Sequence, residues 1–243
     1  KFSIIVPVWF QIKDENGKFV ITGQDAINET WLSEMKKHQP HVSITPRLMF
    51  EIHPQQIINQ FKQISEDARL QLIKLAQQYN FNGIFIECPN YFFNEATLKL
   101  LQPLAKNLRK SFKSRNSLIL MDIPSDEKFN YNSNKNSLIT KLFSSIDLAF
   151  ISIYELQSQP SMAPLPSFNQ LADWLVSTIK GRSLSKTLLG LPMFGFDYST
   201  TNRDYVFGND IIEKLTNYKT KIQWVENINE HIMLYTEKNK AHN

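Results

Sequence analysis

With a single cysteine, Cys88, the chain can form no internal disulfide and no zinc site built from several thiolates. Glycine is almost as scarce, at 7 residues, and no glycine-rich turn follows the first apolar segment, so neither a dinucleotide fingerprint nor a P-loop is expected. No apolar run approaches the ~18 residues that cross a bilayer, and no membrane span is expected. The chain opens Lys1-Phe2-Ser3, without a methionine or a charged lead into an apolar signal, so its native beginning is expected to lie outside this sequence. Neither sign of charge dominates. The 27 Lys and Arg residues are scattered among 23 Asp and Glu, for a net charge of +4. The densest basic group, Lys106, Arg109, Lys110, Lys113 and Arg115, falls in the last turns of an expected helix, where cations complement the macrodipole. It reads as a solvated helix end, and no nucleic-acid partner is expected. His38 and His41 straddle Pro40 without an evident third ligand, so no metal is expected, and no cofactor either.

What is present is enough apolar sequence for one substantial core, 42% of the residues. Strand-like segments recur at Ser3 to Trp9, His41 to Phe50, Gly83 to Glu87, Leu118 to Ile123, Leu148 to Tyr154 and Thr187 to Met193. Between them, helical periodicity runs over Asp25 to His38, Ser65 to Tyr79, Glu95 to Lys113, Asn136 to Ser145 and Phe168 to Ile179. Strand alternating with helix, and strands apolar on both faces, describe an α/β chain with a parallel sheet enclosed by helices. Of the two closures open to such a chain, the doubly wound sheet is disfavoured by the missing glycine turn, which leaves the (β/α)8 TIM barrel. Polar and aromatic residues gather just after the strands, at Trp9, Arg47, Glu51, Glu87, Asp122, Tyr154, Glu155 and Asp197, the face where barrels put their ligand sites. The tail differs: Asn209 to Tyr218 reads as a helix, Lys221 to Val225 and His231 to Thr236 as short strands. The expected division is a barrel over 1–203 and a small α+β insertion, with the chain end, over 204–243. Phe129 to Asn136 reads as a loop. Asn28-Glu29-Thr30 is a glycosylation sequon, which matters only in a secretory protein.

Several motifs, in order, resemble glycoside hydrolase family 18 in its chitinase-like branch. They are Val6-Pro7-Val8-Trp9-Phe10-Gln11, Ile44-Thr45-Pro46-Arg47-Leu48-Met49-Phe50-Glu51, Phe81-Asn82-Gly83, and the stretch from Leu188 to Tyr198, with Trp224 in the insertion. The resemblance implies a TIM barrel of which this chain carries strands two to seven, so the sequence is expected to be a section of a longer protein. It also implies a strand motif D-G-x-D-x-D-x-E, and here the chain departs from it. Asn82 stands at the opening aspartate, followed by Gly83; Phe85 stands at the next acid, Glu87 at the third, and Pro89 at the glutamate that donates the proton. In that family the sugar's own N-acetyl oxygen attacks the anomeric carbon, so one protein acid must protonate the leaving oxygen. Proline has no proton to give. Glu87, two residues earlier, sits ~6.6 Å deeper along the strand, out of reach of that oxygen.

The resemblance therefore implies a catalytically inactive, lectin-like barrel that binds oligosaccharides or related glycans, amino sugars among them. The candidate saccharide-binding residues are Trp9, Glu87, Tyr154, Glu155, Phe194, Asp197 and Tyr198. For the aromatic ones the alternative is ordinary barrel packing. Arg47 and Glu51 form a charged pair that grips a saccharide or holds two loops together. Asp122 is a retained acid or half of a core pair. Cys88, of opposite strand parity to Glu87, is expected to face the helices. Two other classes stay open: a residual hydrolase, and a scaffolding protein with a protein partner. Secretory, lysosomal or extracellular placement follows from the resemblance alone.

Overall fold

The computed structural model describes residues 2–89, 94–112, 117–123, 133–152, 168–179, 181–191, 193–199, 204–226 and 230–237. The chain divides into two compact units, one of Lys1–Pro124, Tyr131–Ile151 and Leu175–Leu188, the other of Ser125–Asn130, Ser152–Trp174 and Leu189–Asn243.

In the first unit the expected opening strand is real but broken. β1 (Ile4–Ile5) runs parallel to β4 (Ser43–Ile44), and β2 (Phe10–Glu15) runs parallel to β5 (Arg47–Phe50). Ile5 pairs with Ile44 and Phe10 with Leu48, so five steps on one chain match four on the other. The extra residue is a β-bulge, marked by the Trp9 N–H donating to Pro7 O at 3.1 Å. Proline causes both interruptions: Pro7 and Pro46 have no N–H for the ladder.

Sequence analysis also missed a hairpin. β2 turns into β3 (Lys18–Thr22) at Asn16-Gly17, both with positive φ, 56° and 81°. That is the mirror-image turn whose twist suits two antiparallel strands.

Beyond the hairpin the strands and helices alternate. α1 (Glu29–His38) and α2 (Pro54–Tyr79) precede β6 (Gly83–Glu87), and α3 (Glu95–Phe112) leads to β7 (Leu118–Asp122). α4 (Ser133–Phe143) leads to β8 (Leu148–Ser152), and α5 (Phe168–Thr178) to β9 (Thr187–Gly190). The sheet order is β3-β2-β5-β6-β7-β8-β9, with β2, β5, β6, β7 and β8 parallel. α2 starts earlier than its periodicity suggests and bends at Gln60, where the backbone leaves helical values (φ −119°, ψ 16°).

Strand period sorts the sheet into two faces. Leu48, Phe50, Ile84, Ile86, Ile119, Met121, Ala149 and Ile151 are buried on one. The apolar stripe of α3, with Leu98, Leu101, Leu104, Leu108 and Phe112 all buried, shows why the helices cover the sheet. Each such leucine contributes about 1.5–3 kcal/mol, enough to carry Pro103 inside the helix. Gly83 is fixed by close packing, because a Cβ there would lie 2.1 Å from the Leu118 carbonyl oxygen.

In the second unit, β10 (Gly195–Asp197) and β11 (Asp204–Val206) pair antiparallel. α6 (Gly208–Asn217) begins where the Phe207 N–H donates to the Asp210 carboxylate, and it leads into the hairpin of β12 (Tyr218–Val225) and β13 (Glu230–Glu237). The expected α+β element is therefore present, with its first strand starting three residues earlier than the sequence pattern suggested.

Candidate functional site

The other face of the first unit's sheet carries the polar residues. Arg47 lies opposite Phe85, Met49 opposite Glu87, and Phe85 opposite Leu120, so these side chains share one face with Asp122 and Phe150. There Arg47 Nη1 donates to Glu87 Oε2 at 3.0 Å, with the side chains 19% and 29% exposed. Among the described residues Arg47 Nε is buried without a hydrogen-bond partner. Asp122 is 6% exposed, and Phe85 meets Phe150 edge to face at 5.9 Å.

This corrects the expected Arg47 and Glu51 pair. Glu51 instead pairs with Lys13 at 3.0 Å, because the β2–β5 register sets Ile12 beside Phe50 and the next residues beside each other. Arg47 turns to β6.

Each residue of the altered motif has its own place. Asn82 ties strands together: its Oδ1 accepts from Ile44 N at 2.9 Å, its N–H donates to Ile44 O, and its carbonyl accepts from Leu118 N. Pro89 follows β6, half-buried, with no group that titrates. Cys88 is buried, and desolvation, reinforced by the charges of Asp122 and Glu87, pushes its thiol up. Such a thiol is a small hydrophobe and a poor nucleophile.

The second unit holds a cluster of its own. The Asp197 carboxylate accepts from the Tyr235 hydroxyl at 2.6 Å and the Ser199 N–H at 2.9 Å, and Lys214 Nζ pairs with it at 2.8 Å. Lys214 also donates to the Tyr235 oxygen at 3.1 Å and stands 4.3 Å from that ring's centroid. Partial burial opposes ionisation of Asp197, but the hydrogen bonds from Lys214, Tyr235 and Ser199 outweigh it and hold the carboxyl well below the usual carboxylate range. Hydrogen bonds to Asp197 and Tyr235 push Lys214 up in turn. Sequence reading found Asp197 but missed Lys214 and Tyr235, which come from α6 and β13 and carry no local motif.

Phe194 packs edge to face on Phe196 and Tyr205 at 5.5 and 5.3 Å, and Tyr198 is 38% exposed beside Phe196. Trp9, released from strand parity by the bulge, lies against Trp31 of α1, Phe10 and Phe81, with ring centroids 5.8–6.3 Å away. This is the packing that its aromatic character left open. Tyr154 and Glu155 lie outside the described residues.

In the basic group, Arg109 is tied to Asp147 at 2.8 Å, while Lys113 and Arg115 lie outside the described residues. Among the described residues no three His, Cys, Asp or Glu side chains come together as metal ligands, and no helix is long and apolar enough to cross a membrane.

No family model matches the chain. Solved structures do. A Bacillus subtilis protein described as a sporulation-specific glycosylase superposes over 98% of this chain and 80% of its own, with a TM-score of 0.74 at 15% identity. A chitinase from Chromobacterium violaceum matches 98% of this chain and 79% of its own, with a TM-score of 0.72 at 14% identity. A class V chitinase from Pseudomonas fluorescens matches 94% of this chain and 72% of its own, with a TM-score of 0.71 at 18% identity. At such identities what is shared is the backbone path: this chain has the α/β, TIM-barrel-type fold of the family 18 chitinases.

Proposed function

We propose that this chain is a non-hydrolysing, chitinase-like glycan-binding protein. It holds oligosaccharides, amino-sugar glycans among them, at the ends of the parallel strands around Glu87, and it works in the secretory route, the lysosome or outside the cell. The observation that carries this reading is the pairing of Glu87 with Arg47 beside a proline. A glycosidase acid must present a proton to the leaving oxygen. Glu87 Oε2 accepts from a guanidinium instead, and Pro89, at the acid's expected position, has nothing to donate. The same pair supports binding. Glu87 keeps a second oxygen for a sugar hydroxyl, and Arg47 Nε supplies a buried donor that a ligand oxygen would satisfy.

A second reading, a scaffolding protein that acts through a protein partner, is favoured by Asp197. Asp197, which with Tyr198 matches the family's motif after the penultimate strand, is held by Lys214, Tyr235 and Ser199 within its own unit.

Titration calorimetry of the full chain with chito-oligosaccharides separates the two readings. Saturable binding, weakened about tenfold or more by Glu87→Ala (at least ~1.4 kcal/mol), supports the glycan reading. A folded chain that binds no saccharide sinks it and leaves the scaffold.

A further inference from the structure

We infer that Asn28 is an acceptor for an N-linked oligosaccharide, an inference that rests on the secretory placement proposed above. Asn28-Glu29-Thr30 is the only Asn-X-Ser/Thr triplet in the sequence. Its three side chains are exposed at the start of α1.

The geometry suits the chemistry at the level of single atoms. Asn28 is the N-cap of α1, with extended backbone (φ −94°, ψ 100°), and its Oδ1 accepts from the Trp31 N–H at 2.9 Å. N-glycosylation uses the other end of the same amide. Nδ2 forms a bond to the anomeric carbon of a lipid pyrophosphate-linked oligosaccharide, the bond from that carbon to the pyrophosphate oxygen breaks, and the lipid pyrophosphate leaves with the electron pair. Nδ2 loses one proton to a base of the transferring enzyme. The carbonyl oxygen is untouched, so a glycosylated Asn28 still caps the helix, and the modification and the fold make no competing demand on the side chain.

Two substitutions separate the sugar from the cap. Thr30→Ala removes the sequon and leaves Asn28 in place; Asn28→Asp removes the acceptor nitrogen but keeps a capping oxygen. The full chain, fused to a cleavable signal, is translated with microsomes, and only the protease-protected material is scored. The expected result is one glycosidase-sensitive increase in mass for the unsubstituted chain and none for either variant. Protected chain of unchanged mass, or a shift that persists in Thr30→Ala, overturns the inference. Fractionation of the native source tests the placement separately: an unmodified native chain inside a lumen overturns the acceptor inference. A native chain found in the cytosol overturns the secretory reading alone, because the microsome result stands without it.

Discussion

Removing Glu87's charge leaves Arg47 half-sheltered without its partner, and the size of the effect follows from the site. At the 3.0 Å between Nη1 and Oε2, the gross attraction is roughly 5 kcal/mol for an effective dielectric of about 20. Desolvation of both groups offsets most of this, since less than a third of either side chain is exposed. A net coupling of about 1–2 kcal/mol remains. Glu87→Gln alone should cost about 2 kcal/mol, because it strands a guanidinium whose Nε lacks a partner among the described residues. Arg47→Met with Glu87→Leu should cost less than the two single changes added together, since neither charge is then left behind. Urea denaturation of the unsubstituted chain, Arg47→Met, Glu87→Leu and the double variant gives the coupling directly as a double-mutant cycle. A coupling within about 0.3 kcal/mol of zero would refute the reasoning, and Glu87 would then be free to serve another role.

Two further outcomes follow from the geometry. Because Asp197 is held below the usual range, its contribution is present above about pH 4, the unfolded value, and is lost as pH falls through its folded value. Lys214 is raised, so its contribution is present below about pH 10.4 and is lost as pH climbs past that through the folded value. Asp197→Asn should therefore destabilise the second unit by about 2 kcal/mol at neutral pH and flatten its acid dependence, followed by circular dichroism; an unchanged acid limb would count against the cluster. Gly83→Ala, with its new methyl 2.1 Å from Leu118 O, should force β6 and β7 apart at a cost of about 3 kcal/mol or more; a change under 0.5 kcal/mol in urea would mean that the strands separate freely there.

The alternation of strands and helices was legible because apolar runs and helical stripes recur along the chain, and every expected helix is found within a few residues of its place except α2, which begins well before Ser65. What failed was pairing. Asn16-Gly17, both with positive φ, is a hairpin signal that the strand and helix rhythm does not carry. Trp9 stood among the candidates just after the strands with barrel packing as its alternative, and its neighbours Trp31, Phe10 and Phe81 come from elements that no local pattern brings together. Arg47 was given the nearest acid in sequence, Glu51, whereas the register gives it Glu87 from the next strand. Asp197, Lys214 and Tyr235 meet from three elements, and no local pattern announces such a meeting. Periodicity reports on single elements; a site is made of contacts between them.

Whether a sugar chain survives this protein intact is the most direct question. Purified full chain held with saturating chito-oligosaccharide over days, with reducing ends counted against buffer, should give no increase, and Glu87→Gln should behave identically. Steady release of new reducing ends that disappears in Glu87→Gln would contradict the account, for it would make Glu87 the acid that the pairing with Arg47 says it is not.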